Sequence, residues 1–175
     1  MGKEISYFND YHGKENTVTN YCGLMLKLLY QSSPADFQEC INTLCQNAEI
    51  TVGPTFEQQV AKKNSVPDLE IKQESFIVDV ETKTTDWFTN DQIVRHIKGM
   101  KQNYGHKFLI LLSNFEVDKI KRNISEAEKL ANDNHITIVC TTFEILAETL
   151  ESACKSPSLK PIFDEFYQYL DINKL

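Results

Sequence analysis

The sequence lacks a membrane-length apolar run. No stretch approaches 18 apolar residues, so no helix is expected to span a bilayer. The opening residues, MGKEISYFNDYHGKEN, contain no apolar segment of the kind a secretory leader needs. They match a loose N-myristoylation pattern, short enough for chance to explain. Cysteine is present but unpatterned. Cys22, Cys40, Cys45, Cys140 and Cys154 are odd in number and contain no CxxC pair. That spacing suits neither a zinc knuckle nor a redox motif. Reduced, mostly buried thiols in a cytoplasmic protein are expected instead. Glycine is sparse, at 6 of 175 residues, with no P-loop or Rossmann pattern. A nucleotide-processing enzyme built on either is disfavoured.

Positive charge is also in short supply. Lys and Arg number 18 against 25 Asp and Glu, for a formal net charge of −7. As a whole, such a chain repels phosphate backbones, and composition alone points away from nucleic acid. What is present is ordinary for a globular protein: 41% apolar and 25% charged residues. A chain this long buries roughly 70% of its unfolded surface and needs no staples. With no internal repeat, low-complexity tract or long linker, one domain over residues 1–175 is expected. Residues 1–14 read as an N-terminal arm and 155–175 as a C-terminal helical extension.

Apolar spacing predicts the elements. Val18, Tyr21, Cys22, Met25, Leu28 and Leu29 mark a helix from Glu15 to Tyr30. Ser33-Pro34 reads as an N-cap and first-turn proline, opening a helix with Phe37, Cys40, Ile41 and Leu44 inward. Val52-Gly53-Pro54 breaks the pattern beside a short strand. Residues 68–83, DLEIKQESFIVDVETK, read as a hairpin around Lys72-Gln73-Glu74-Ser75. A helix follows from Asp91 to Gln102, then a strand at Phe108–Leu112 buried on both faces. A charged helix from Asp118 to Asn132 and a second buried strand at Ile136–Cys140 come next. Helices at Phe143–Leu150 and Pro161–Leu170 end the chain; Phe163, Phe166, Tyr167 and Leu170 on the last are open between packing inward and forming a dimer. The alternation of later strands with helices predicts an α/β fold: a central mixed β-sheet flanked by helices on both faces.

The chemistry concentrates in Val66-Pro67-Asp68 and Val80-Glu81-Thr82-Lys83. Glu81 and Lys83 share a strand face, as does Asp79, at about 7 Å spacing. A hairpin centred between Gln73 and Glu74 pairs residue 68 with 79 and sets Asp68 diagonal to Glu81, roughly 7–8 Å away. Convergent carboxylates in the apolar strand FIVDV repel unless a cation or proton compensates. Hard oxygen donors with room for water suit Mg²⁺. A lysine beside them can orient water or stabilise a developing phosphorane charge.

Pro67-Asp68 followed by Glu81-Thr82-Lys83 resembles the PD-(D/E)xK nuclease superfamily, which has the restriction-endonuclease-like fold. The resemblance runs in element order over residues 15–140. It implies that Asp68 and Glu81 ligate Mg²⁺, with Mn²⁺ able to substitute, and that Lys83 assists the nucleophilic water. One bacterial branch opens its first helix with E-N-x-x-T, matched here by Glu15-Asn16-Thr17-Val18-Thr19. It also carries a glutamine in the helix after the ExK strand, matched by Gln92. By that resemblance Glu15 contributes to the metal site and Gln92 to substrate or site organisation. His96 departs from the pattern, which has tyrosine there more often.

The bland readings differ by residue. Asp68 after Pro67 also suits a turn, and Glu81 and Lys83 an exposed strand face. Glu15 suits a helix start through the macrodipole alone. Asp79 is open between a third acid and a solvated neighbour. Arg95, Lys98 and Lys101 make an i, i+3, i+6 stripe. A stripe of this kind is a solvated face or, beside a nuclease site, a phosphate-contacting one. Lys62-Lys63 could add to it, and Trp87 and Tyr104 are open between base stacking and core packing.

The expected function is Mg²⁺-dependent hydrolysis of a nucleic-acid phosphodiester, on DNA ahead of RNA and away from membranes. Asp68, Glu81, Lys83 and Gln92 would form the catalytic group, Glu15 would join the metal, and Arg95, Lys98 and Lys101 would bind substrate. The competing class is a catalytically silent binding or regulatory protein on the same fold. With a net charge of −7, tight binding is expected to need a homodimer, a partner subunit supplying basic surface or a further basic domain.

Overall fold

A computed structural model describes residues 3–4, 13–45, 54–62, 65–73, 75–85, 87–100 and 104–175. Lys63, Lys101, His12 and most of the expected arm lie outside the described residues.

The first two helices are α1 (Lys14–Ser32) and α2 (Pro34–Leu44). Ser33 separates them, and its hydroxyl accepts from the Asp36 amide while Pro34 takes the first helical position. This is the cap that Ser-Pro announces. Six strands form one sheet, the first ahead of both helices and the rest after them: β1 (Lys3–Glu4), β2 (Thr55–Gln58), β3 (Leu69–Lys72), β4 (Phe76–Lys83), β5 (His106–Ser113) and β6 (Thr137–Thr142). Their spatial order is their sequence order. The first three joins are antiparallel; β4–β5 and β5–β6 are parallel. The parallel joins need crossovers, supplied by α3 (Asn90–Gly99) and by the pair α4 (Val117–Asn123) and α5 (Ser125–Asp133). α6 (Phe143–Ala153) and α7 (Lys160–Asn173) close the fold. The architecture is the expected mixed sheet with helices on both faces.

Strand alternation divides the core in two. Leu69, Ile71, Val78, Val80, Ile110 and Leu112 face α1, α2, α6 and α7. Ile77, Leu109 and Leu111 face Ile93 and Ile97 of α3 and Ile120, Ala127 and Ala131 of α4 and α5. Phe163, Phe166 and Leu170 of α7 are buried in the first cluster, so this face packs inward, leaving Tyr167 outside.

Three expectations need correcting. The charged helix over 118–132 is two helices broken at Ile124, whose φ of −122° and ψ of 15° leave the helical region. Ile124 is fully buried, and the Asn90 side chain accepts from the Ala127 amide, which restarts the helix as α5. The strand at Ile136–Cys140 is an edge strand of the described sheet, with Ile138 and Cys140 only half-buried. The hairpin register is two residues from the expected one: Leu69 pairs with Val80 and Lys72 with Ile77. An even shift keeps every side chain on its expected face. One further step along this register sets Asp68 across from Glu81 rather than diagonal to it.

Candidate metal and catalytic site

The site lies at the C-terminal end of β4, an interior strand. Glu81 is 5% exposed and Asp68 8%. They are brought together by the hairpin, and their contacts fix both. One Asp68 oxygen, Oδ2, accepts from the Thr82 amide at 2.8 Å; the other accepts from Gln59 Nε2 at 2.8 Å. Gln59 Nε2 also reaches Asn16 Oδ1 at 3.2 Å, tying the acid to the start of α1. Glu81 Oε1 accepts from Gln92 Nε2. Its Oε2 is buried, faces His96 Nε2 at 3.1 Å, and takes no well-aligned hydrogen bond. Lys83 Nζ sits 3.9 Å from Glu81 Oε1 and 3.2 Å from Glu15 Oε1. The second Glu15 oxygen accepts from the Thr84 amide at 3.2 Å.

Helix geometry places Gln92. The run Thr89-Asn90-Asp91-Gln92 has the capping-box pattern, and the Thr89 hydroxyl accepts from the Gln92 amide at 3.3 Å. Gln92 does not complete that box; its side chain turns to Glu81. One turn on, His96 faces the same carboxylate from a buried position. The expected residues Asp68, Glu81, Lys83, Gln92 and Glu15 thus meet at one end of the sheet. Arg95 and Lys98 do not join them and stand exposed on the outer side of α3.

Electrostatics separate these acids from ordinary surface carboxylates. Burial pushes Asp68 up to about 7, and the negative charges of Glu81 and Glu15 add to the effect. The Thr82 amide and Lys83 pull against it without prevailing. Burial works to lower the Lys83 pKa, but Glu15, Glu81 and Asp68 outweigh it and the net shift is upward. Lys83 therefore stays charged at neutral pH and serves as a cation, not a base.

Asp79 belongs elsewhere. It is fully buried two residues before Glu81 and pairs with Lys62, which also reaches Glu70 at 2.8 Å. Lys72 joins Glu70 at 2.6 Å. Asp79 is thus neither a solvated neighbour nor in contact with the Asp68–Glu81 pair. Lys62, read from sequence as a possible phosphate contact, is committed to this inner network.

His96 has no settled role in the sequence, Asn16 stands there only within the E-N-x-x-T match, and nothing marks Gln59 or the Thr82 amide. The capping-box pattern was a usable signal for Gln92's position; no local signal points to Gln59, whose contact depends on β2 pairing with β3.

Two hard-oxygen carboxylates, one with an oxygen buried and short of a hydrogen bond, have the donor chemistry of a Mg²⁺ site. Among the described residues, no group of three or more His, Cys, Asp or Glu side chains is placed to hold a metal ion.

No family model and no curated protein matches the sequence. Among solved structures, the chain is similar to "MspJI Restriction Endonuclease in Complex with 27-mer Oligonucleotide" at 11% identity and a TM-score of 0.37. The alignment covers 94% of this chain and 38% of that one.

Proposed function

We propose that this chain is a Mg²⁺-dependent nuclease of the PD-(D/E)xK type with a restriction-endonuclease-like core, hydrolysing phosphodiester bonds in DNA. The observation that carries the reading is the meeting of Asp68, Glu81 and Lys83, separated by up to 15 positions, at one buried strand end with Glu15 and Gln92. Asp68 and Glu81 would hold the ion, which supplies Lewis acidity toward a phosphoryl oxygen. Mn²⁺ would serve in its place.

The chain's own residues do the rest. Lys83, held charged, orients the attacking water and stabilises negative charge building on the phosphorus centre. Glu15 aims the Lys83 ammonium by contact at 3.2 Å. Gln92 grips Glu81 from α3 and fixes the direction of its carboxylate, with His96 facing the other oxygen. Gln59 and the Thr82 amide do the same for Asp68. Arg95 and Lys98, exposed on the outer side of α3, would contact phosphates away from the acids.

The test is incubation of the purified protein with supercoiled plasmid, linear DNA, single strands and RNA, in Mg²⁺, Mn²⁺ or EDTA. Metal-dependent cleavage of DNA, lost in Glu81→Ala and Lys83→Ala, is the expected result. Cleavage that both variants retain removes the site assignment. No cleavage of any substrate favours the silent binding protein.

A further inference from the structure

The chain contains a single tryptophan, and it is not in the core. Trp87 is 45% exposed, whereas its neighbour Phe88 is 1% exposed and anchors the segment. Trp87 lies over Phe115, with ring centroids 4.2 Å apart and planes inclined by 24°. Phe115 is half-buried against the core, and its amide donates to the Ser113 hydroxyl at 3.1 Å. The pair is therefore backed by the fold, with one indole face covered and much of the residue open.

Its position follows from the register. Lys83, the last residue of β4, is paired with Ser113, the last of β5. Trp87 comes four residues after the first and Phe115 two after the second. The stack thus lies just beyond the rung that ends at Lys83, at the sheet end where Asp68 and Glu81 meet. α3 begins three residues later and carries Arg95 and Lys98 on its exposed side.

We infer that Trp87, backed by Phe115, is a stacking platform for an unpaired base, and that the substrate of the neighbouring site is single-stranded DNA. This rests on the nuclease reading for the site's chemistry. In a duplex each base is covered on both faces by its neighbours, so only an unpaired base can offer its face. Stacking also suits a chain of net charge −7. Phosphate attraction is weak for such a protein, and affinity from a base face does not depend on charge. Arg95 and Lys98 then guide the backbone, and the platform supplies the grip.

The lone tryptophan makes the test direct, because all indole emission comes from Trp87. The protein is titrated in EDTA with a thymidine oligonucleotide of about 12 nucleotides, and separately with a duplex of equal length. Saturable quenching by the single strand and little by the duplex are expected. Trp87→Leu keeps an apolar side chain on Phe115 but removes the π face. It is expected to weaken single-strand binding ~10-fold by anisotropy of a labelled strand, with duplex binding unchanged. Should that variant fail to melt cooperatively, the wild-type quenching still decides, and Trp87→Phe, which keeps a ring, is expected to bind nearly as the wild type. Absence of quenching, equal quenching by duplex, or wild-type affinity in a folded Trp87→Leu overturns the platform. DNA cleavage without quenching removes the platform and leaves the nuclease. Quenching without cleavage of any substrate does the reverse.

Discussion

Two acidic clusters sit side by side on one face of β4, and the chain treats them differently. In the inner one, Asp79 and Glu70 are answered from within the fold by Lys62 and Lys72. These lysines overcome the burial of Glu70 and bring its pKa below the ordinary value. In the outer one, Asp68, Glu81 and Glu15 share Lys83 as their one lysine among the described residues. There burial and mutual repulsion win, and Asp68 rises to about 7. The two clusters lie two residues apart, so strand position does not distinguish them. The difference is one of degree among the described residues: two internal lysines pair with the inner acids, though burial still lifts Asp79 to about 6, whereas the three outer acids share one lysine. Under-compensated carboxylates cost stability, and a chain keeps them where a cation or a reaction needs them. On this account the inner cluster is structure and the outer one is function.

The comparison breaks most sharply under substitution. Glu81→Ala should lower metal-dependent cleavage by about 1000-fold or more while the protein still folds, since ~4 kcal/mol of barrier is at stake. A single-turnover assay checks this, and residual cleavage within tenfold of wild type would contradict it. Lys62→Met should act on stability instead. It strands the buried Asp79 and leaves Glu70 to Lys72 alone, and breaking a buried pair costs about 3–5 kcal/mol. Urea denaturation reads this; a loss under ~1 kcal/mol would mean that the inner network is not structural.

A smaller effect has the opposite sign. Asp68→Asn should stabilise the metal-free protein at pH 8 while abolishing cleavage, because it removes a penalised charge. The pH dependence follows from linkage. A carboxyl whose folded pKa lies above its unfolded value of about 3.9 binds more protons when folded. Its favourable contribution is therefore full below about pH 4 and lost as pH rises to about 7. Asp79, raised by burial to about 6 against the pull of Lys62, adds the same sign over a lower window. The gap in stability between Asp68→Asn and wild type in EDTA should widen from pH 5 to pH 8. A gap that is constant across that range would refute the assigned cause. Smallest of all, Arg95→Gln should leave stability unchanged and weaken DNA binding a few-fold, with a shallower salt dependence. A binding isotherm at two salt concentrations measures it.

Much of this was legible in the sequence, for physical reasons that differ by residue. The helices around Met25 and Ile41 and the strand at Phe108–Leu112 follow from apolar spacing, which burial enforces locally. Glu81 and Lys83 share a face in any register because strand alternation has period two. The pairing of Asp68 was less legible. No Asn-Gly turn pins the hairpin at Gln73–Ser75, so its centre could be misplaced by a residue while every side chain kept its face. The break at Ile124 depends on that residue reaching the core and on Asn90 capping from another helix. The role of Lys62 was invisible for the same reason. A lysine beside Lys63 reads as surface, and only the fold brings it under Asp79.

Which of the two clusters takes a cation is read directly by isothermal titration with Mn²⁺. Wild type and Asp79→Asn are predicted to bind the ion, while Asp68→Asn and Glu81→Gln lose it. Mn²⁺ binding that survives in Glu81→Gln and Asp68→Asn but disappears in Asp79→Asn would contradict the account.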